Sequence, residues 1–528
     1  MEKKEKICLL ILALVTLSVF VINYRIIKKD KSYLRADCSN YYQKSVCLYN
    51  ALTKDSPYFL SNIKEFARVF LTLPGLMKPP LMMATSLPFY LVFGLSEDTA
   101  RISNFFYIVI LIFSTYLLGK KINSKKTGLI SAIIIIFLSL VAGISRTYMV
   151  SFASLALTPL TLWLYLKSDY FSNTKFSLLF GLSFASGMLT RYDFFVFVLP
   201  WIFIDLRNIL RKKEKKKVIL NIISSALVSA MIFIPWYFFN TIDILNQIFV
   251  LGLSGNYSST RTAFFYIYSL YKWYFGTFLF PVFLVCFVSF LINKKARYYK
   301  NTLFSIFSTF IFYSFFIQNK TITYMMPILP LLVISSVSGN INISKKIKIQ
   351  KIARLAQFIL LVFALIQFSF DHHMFNFNED KVYDPHLILI NPDTQKGFEY
   401  ENILDYFTII NTSQKTLLII NHRHFSPLHH FVDEKRIDIM IDAPMPPLFG
   451  GYISHIDVEK TITDADFVFT TDEEKDYSLI EENNLEESLP YLKDLYLEFY
   501  KKSDEFDLVL SFYSNAIKRN AYLYKRKN

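Results

Sequence analysis

The sequence predicts a polytopic α-helical membrane protein that carries a C-terminal α/β domain. Three observations lead there. Hydrophobic residues make up 53% of the 528 positions and aromatic residues 17%. Apolar runs of roughly 17–20 residues recur through the first 370 positions, each suited to a helix across about 30 Å of hydrocarbon. Charge then divides along the chain: residues 1–370 hold 41 Lys/Arg against 13 Asp/Glu, and 371–528 hold 16 against 29. A basic membrane part, 1–370, is thus followed by an acidic, water-soluble part, 371–528. The formal net charge of +15 reflects topology and lipid head groups, and nucleic acid is excluded as a partner.

The first apolar run, 7–24, follows Met-Glu-Lys-Lys-Glu-Lys and resembles a signal peptide in its flanks. No small-residue cleavage site closes it, so it reads as an uncleaved first span. Further spans are expected at 103–118, 128–144, 148–166, 176–190, 194–210, 218–238, 270–292, 302–317, 323–339 and 354–370. Between them lie four basic loops, 119–127, 207–217, 294–300 and 345–354, holding four, seven, four and five Lys/Arg. With the N-terminus inside, each of these falls on the cytoplasmic side. Counting the run 81–94 as a further span reverses that parity. At about 14 residues it is also short for the bilayer. It reads as a juxtamembrane or re-entrant helix at the outer interface. The result is about 11 spans, with a first outer loop, 25–102, and the domain 371–528 both outside the cytoplasm. The expected location is the inner (cell) membrane.

The inner loops carry charge in blocks, whereas the short outer loops carry single charges. These are Arg146, the pair Arg191 and Asp193, Arg261 and Lys320. Isolated cations at helix ends suit a lipid phosphate, although interfacial snorkelling accounts for such residues as well. Of the carboxylates in the membrane part, eight remain outside in this topology: Asp30, Asp37, Asp55, Glu65, Glu97, Asp98, Asp193 and Asp243. A base that deprotonates a hydroxyl would come from these or from the tail. Loop position alone does not choose among them.

A resemblance does. Asp37-Cys-Ser-Asn-Tyr41 after the first span resembles the Asp-Glu-x-x-Tyr signature of GT-C-type glycosyltransferases. The similar groups are dolichyl-phosphate-mannose–protein mannosyltransferases and aminoarabinose–lipid A transferases. Lys78-Pro79-Pro80-Leu81 matches their Lys-Pro-Pro-Leu, and Gly94-x-Ser96-Glu97 through Arg101 matches the segment that follows. Ser145-Arg146-Thr147, Gly187-x-Leu189-Thr190-Arg191, Pro235-Trp236-Tyr237 and Lys320-x3-Tyr324-x2-Pro327-x2-Pro330 recur in the family's order.

The resemblance implies an inverting transferase. It moves a hexosyl or pentosyl group from a polyprenyl-phosphate donor to the hydroxyl of a glycan, lipid or protein acceptor at the outer membrane face. Asp37 is then the base. Lys78 and the outer cations Arg146, Arg191, Arg261 and Lys320 supply a positive field for the departing phosphate, and Arg101 either joins them or braces the loop. Tyr41 and Tyr324 hydrogen-bond substrate or phosphate oxygens, or else fill the aromatic interfacial belt. Two departures stand out. The family's second acid is Cys38 here, and an acid a few positions after Arg146 is replaced by Ser151. Metal use is therefore undetermined, with Asp193 the substitute if a divalent ion takes part. The contrasting reading is a non-catalytic membrane protein that binds or transports a lipid-linked glycan. Internal half-repeats would mark a transporter, and none is visible.

Cys8 and Cys286 fall in spans and read as small buried hydrophobes. Cys38 and Cys47 share the outer loop; on one helix they do not meet, and across a turn they do. The stretch 240–268 is Gly/Ser/Asn-rich around Arg261 and reads as a surface connector or a cover for the substrate cavity. The tail shows strand-like runs at 417–421, 466–470 and 507–512, with a helix-like run at 492–502. All eight histidines fall in it, and His422, His424, His429 and His430 cluster without completing a zinc motif.

Overall fold

The computed structural model describes residues 3–29, 37–53, 59–72, 78–247, 264–292, 298–317, 320–346, 362, 401–409, 415–419, 439–442, 462–471, 497–514 and 519–527. Helix α1 (Lys3–Lys29) buries Leu12, Val19 and Asn23 while Leu10, Leu14 and Leu17 are more than half exposed. A helix that is apolar on its outward face has hydrocarbon as its solvent. The outer-loop segment forms three shorter helices, α2 (Asp37–Leu52), α3 (Phe59–Thr72) and α4 (Leu81–Phe93). At 13 residues, α4 is about 20 Å long, in keeping with the expected short element.

Helix α5 (Glu97–Ile122) is the central post of the bundle. Ser96 caps it by accepting from Thr99 N at 3.2 Å. Acids Glu97 and Asp98 open it and Lys120 and Lys121 close it, matching the helix dipole. It turns into α6 (Lys125–Phe137) through Ser124, which caps α6 in the same manner. A Cβ on Gly128 would lie 2.3 Å from Tyr116 O, so only glycine allows these two helices to approach.

Two ion pairs define the ends of the bundle. Glu5 holds Lys120 at 2.5 Å, which sets the start of α1 beside the α5–α6 turn. Lys28 holds Asp98 at 2.8 Å at the opposite end. The expected span 128–144 is interrupted at Leu138, where the backbone is extended (ψ 134°), and α7 (Ser139–Ile144) follows. The break leads the chain into the buried polar turn 145–149.

Helices α8 (Val150–Lys167) and α9 (Thr174–Met188) are joined through Asp169, Tyr170 and Phe171, at φ 49°, 57° and 63°. Three consecutive left-handed residues are strained. Helix α10 (Phe195–Leu210) and the turn after it hold one side of this bend, Lys212 meeting Asp169 at 2.6 Å. Helix α11 (Lys215–Phe239) holds the other, Asn221 donating to Phe171 O at 2.7 Å. Helix α11 is inside-out by the standards of a water-soluble protein. It buries Asn221, Ser225 and Ser229 and exposes Leu220, Leu227 and Met231. Its serines face α9, where Ser229 donates to Gly181 O at 2.7 Å. Close approach at small residues is how helices pack in lipid.

Helix α12 (Thr241–Gln247) ends the next described stretch. The expected straight span 270–292 is bent instead. Helix α13 (Phe265–Ser269) runs through a π turn, Leu270–Phe275, into α14 (Gly276–Ile292), and the two arms are bent by 118° relative to each other. Gly276 makes the corner possible at φ 69°. Helix α15 (Tyr299–Ile311) continues into a second π turn, Phe312–Phe316, and a 3-10 turn, Met326–Ile328, opens α16 (Leu329–Lys346). Every expected span except 354–370 coincides with helical structure. That last one lies outside the described residues apart from 362. Among the described residues four helices are long and apolar enough to cross a membrane, or five with the bent pair as one.

The tail contributes α17 (Glu401–Ile409) and five strands: β1 (Lys415–Ile419), β2 (Ile439–Asp442), β3 (Phe467–Thr471), β4 (Phe506–Ser514) and β5 (Arg519–Arg526). They form one sheet in the order β2-β1-β3-β5-β4, parallel over the first three and antiparallel at β5 and β4. The three expected strands are β1, β3 and β4, shifted by one or two residues at their ends. Leu418, Val468, Phe499 and Phe506 form the core beneath them. Arg526 locks the end of the sheet by donating to Ile462 O and Ala465 O while lying 4.5 Å over the Phe506 ring.

Candidate functional site

The site is assembled where the start of α4 meets the turn after α9. Pro79 and Pro80 are buried and set the approach to α4, and Leu81 N donates to Leu189 O at 2.9 Å. The turn 189–194 closes on Gly187, with both Thr190 N and Arg191 N donating to its carbonyl. A Cβ at Gly187 would stand 2.1 Å from the Phe194 ring, so glycine is what lets that ring fold back under the turn.

Three polar side chains of the turn then face Lys78. Lys78 Nζ donates to Tyr192 OH at 3.2 Å and lies 4.4 Å from the centre of its ring. Arg191 Nε donates to Asp193 Oδ1 at 2.8 Å, and its Nη2 binds Asp193 Oδ2. Its Nη1 reaches Ser151 Oγ at 3.2 Å, and its guanidinium lies 5.2 Å from the centre of the Tyr324 ring. Tyr313 OH donates to Asp193 Oδ2 at 2.6 Å. Tyr237 OH holds the end of α9 by donating to Met188 O at 2.9 Å.

The electrostatics follow from this packing. Burial opposes charge on Asp193, but the Arg191 guanidinium beside it, with Lys78 beyond, holds the carboxyl below its ordinary range. Burial works against the Lys78 ammonium, yet Tyr192 and Tyr324, with Asp193, keep its pKa above the ordinary value. Arg191 and Asp193 balance each other, so among the described residues Lys78 is the cation of the cluster with no ion-pair partner. An ammonium has three N–H donors, and one of them is directed at Tyr192.

The structure therefore brings Lys78, Arg191, Asp193 and Tyr324 together. Tyr192, Tyr313 and Ser151 join them without having been nominated from sequence. Ser151, which stands where the resembling family has an acid, accepts from Arg191. Both oxygens of Asp193 are engaged by donors of one positive group and one phenol, and this does not fit a metal ligand. Among the described residues no three His, Cys, Asp or Glu come together, and His422, His424, His429 and His430 lie outside them.

The other nominees sit elsewhere. Arg146 is buried (1% exposed), with Nε donating to Asn23 Oδ1 at 2.9 Å on α1. Its turn is also held by Asn104 of α5, which donates to Ser145 O and Thr147 O. Arg101 is equally buried and lies 3.8 Å from Glu97, the bracing alternative. Lys320 Nζ donates to Ile317 O at 3.1 Å. Tyr41 is buried in α2. Asp37 is the first residue of α2, and its side chain lies outside the described part, as does all of Arg261. Cys38 and Cys47 stand nine residues apart on the continuous helix α2, so a disulfide between them is excluded by helix geometry.

Comparison with known proteins bears on this geometry. The family described as dolichyl-phosphate-mannose-protein mannosyltransferase matches residues 77–239, which span Lys78, Arg146 and the 189–194 turn. Among solved structures, ArnT from Cupriavidus metallidurans bound to undecaprenyl phosphate superposes with a TM-score of 0.63 at 12% identity, over 97% of this chain and 97% of that one. The chain has the fold of the GT-C-type membrane glycosyltransferases. A second GT-C structure, the oligosaccharyltransferase AglB from Archaeoglobus fulgidus with an inhibitory peptide and a dolichol-phosphate, matches at a TM-score of 0.54 and 12% identity. It does so over 96% of this chain and 74% of that one. No curated protein matches the sequence.

Proposed function

We propose that the chain transfers a sugar from a polyprenyl-phosphate carrier to an acceptor hydroxyl, with inversion, at the extracytoplasmic face of the cell membrane. The observation that carries this reading is Lys78. Among the described residues it is the cation of the cluster with no carboxylate paired to it, beside the Arg191–Asp193 pair, where two aromatic rings, Tyr192 and Tyr324, lie near it. In the reaction the acceptor oxygen bonds to the anomeric carbon as the bond from that carbon to the phosphate oxygen breaks. The bond electrons leave with the carrier phosphate, and Asp37 takes the acceptor proton. A phosphate leaving group needs fixed positive charge rather than an acid, and Lys78 supplies it.

The outward orientation and the count of about 11 spans rest on charge parity. The Glu5–Lys120 contact supports it, because it puts the N-terminal end and the first basic loop at one end of the bundle. The acidic domain 371–528 then lies on the same side as Lys78 and contributes to acceptor recognition. The deciding variant is Asp37→Asn. Sugar transfer should vanish while expression and binding of undecaprenyl phosphate persist, and undiminished transfer would remove the assignment. Mass spectrometry of surface glycans with and without the protein identifies the sugar and the acceptor.

A further inference from the structure

The contact between Lys78 and Tyr192 leaves hydrogen-bond donors that the protein itself does not engage. A phenol has one proton to give and can also accept, and an ammonium has three N–H donors. Lys78 Nζ donates to Tyr192 OH at 3.2 Å, so the phenol oxygen is the acceptor of this contact and keeps its own proton. Among the described residues no group accepts that proton, and the ammonium makes no second hydrogen bond. The phenols nearby differ. Tyr313 gives its proton to Asp193, and Tyr237 gives its own to Met188 O. Exposure separates the residues in the same way. Lys78 and Tyr192 are part-exposed, whereas Arg191 is buried with Nε, Nη1 and Nη2 all engaged.

The backbone fixes these two donors relative to each other. Leu81 N donates to Leu189 O at 2.9 Å, which fastens the segment after Lys78 to the turn that carries Tyr192. Within the turn both neighbours of Tyr192 are anchored. Arg191 N donates to Gly187 O, its side chain holds Ser151 and Asp193, and Asp193 is held in turn by Tyr313. The Lys78 ammonium, 4.4 Å from the ring centre, holds the phenol ring itself. Donors fixed before a ligand arrives are the effective ones for an oxyanion, because no reorganisation is needed when charge appears. The nearby Asp193 carboxylate does little to repel an anion, since Arg191 spans both of its oxygens.

Two fixed donors 3.2 Å apart, one charged and one neutral, match neighbouring oxygens of a single phosphate. Resting on the transferase reading above, we propose that Tyr192 binds the carrier phosphate directly. Its phenol donates to one phosphate oxygen while the Lys78 ammonium donates to the next, and the proton stays on the phenol throughout. As the bond from the anomeric carbon to the phosphate oxygen breaks, negative charge grows on the phosphate and both hydrogen bonds strengthen. Tyr192 thus touches substrate itself, beyond any hold it has on Lys78.

The test titrates undecaprenyl phosphate, undecaprenol and inorganic phosphate into the full-length protein in detergent. The proteins compared are the unchanged chain, Tyr192→Phe, Lys78→Met and the double variant. Tyr192→Phe removes only the phenol oxygen. It should weaken undecaprenyl phosphate binding roughly tenfold, the usual loss for a hydrogen bond to a charged group. Undecaprenol binding and thermal unfolding should be unchanged. The deciding comparison is made in the Lys78→Met background, where no ammonium remains for the phenol to position. There Tyr192→Phe should still weaken binding about threefold or more. Full binding by Tyr192→Phe overturns the inference. So does a loss that vanishes in the Lys78→Met background, because Tyr192 then acts only through Lys78, and so does an equal loss for undecaprenol. Inorganic phosphate bound as tightly as undecaprenyl phosphate, with the same dependence on Tyr192, overturns the carrier as the ligand. Conversely, an Asp37→Asn protein that still transfers, beside a Tyr192→Phe protein that has lost carrier binding, removes the assigned base and leaves the phosphate contact standing.

Discussion

Arg191 and Asp193 stand two residues apart and face each other, the guanidinium spanning both carboxylate oxygens, with Nε 2.8 Å from Oδ1. The geometry is made by the turn after α9, not by a helix, and Tyr313 seals the far side of the carboxylate. A buried pair of this kind leaves the field of Lys78 intact while setting the Arg191 guanidinium against Tyr324.

Asp193→Asn removes the counter-charge and strands a buried guanidinium. It is expected to destabilise the protein by about 3–5 kcal/mol, and replacing both partners with apolar residues should do less harm. Thermal unfolding in detergent measures both. The pH dependence has a definite sign. The folded pKa of Asp193 lies below its ordinary 3.8, so its contribution is present above that value and is lost as pH falls through the lower folded value. The stability gap between the unchanged protein and Asp193→Asn should be constant from about pH 7 to about pH 5 and close only in strong acid. A gap that closes near neutral pH would contradict the assignment.

Lys78→Ala should weaken undecaprenyl phosphate binding by roughly tenfold or more, in line with a lost charge-assisted hydrogen bond. Tyr192→Phe keeps the ring beneath the ammonium and should lose less than Tyr192→Leu. Because the Lys78 pKa is raised, binding should hold as pH increases through the ordinary lysine range. Titration of labelled carrier into purified protein at several pH values tests all three.

Gly187→Ala pushes a Cβ into the Phe194 ring and must displace the turn that presents Arg191 and Tyr192. A stability loss of about 1–3 kcal/mol is expected from overpacking. Transfer should fall further than stability alone accounts for. Equal thermal stability with unchanged activity would mean that the turn tolerates the shift.

Orientation can be read by labelling single cysteines with an impermeant maleimide on intact cells. Lys64→Cys on α3 should react from outside, and Lys216→Cys at the start of α11 only after the membrane is opened. Outside labelling at 216 would invert the topology and with it the placement of the site.

The helices of the membrane part were legible because hydrocarbon gives a chain little choice: apolar runs of sufficient length must close their own backbone hydrogen bonds. Lys78, Arg191, Asp193 and Tyr324 stood out for a related reason, since charge and motif are rare against an apolar background. Tyr192 and Tyr313 did not, because among 34 tyrosines no local pattern distinguishes a ring that meets the Lys78 cluster from one that meets lipid. Strands β2 and β5 were missed as well. The first is four residues long, and the second mixes lysine and arginine with its tyrosines, so neither shows clean alternation. The sequence alone determined where the helices run, that the chain divides into a basic apolar part and an acidic tail, and which charges break the pattern. Only the tertiary structure decided that Lys78 meets Tyr192, that Tyr313 closes on Asp193, and that the Arg191 guanidinium lies against Tyr324. Those outcomes depend on contacts between residues far apart in the chain, and no local periodicity encodes such contacts.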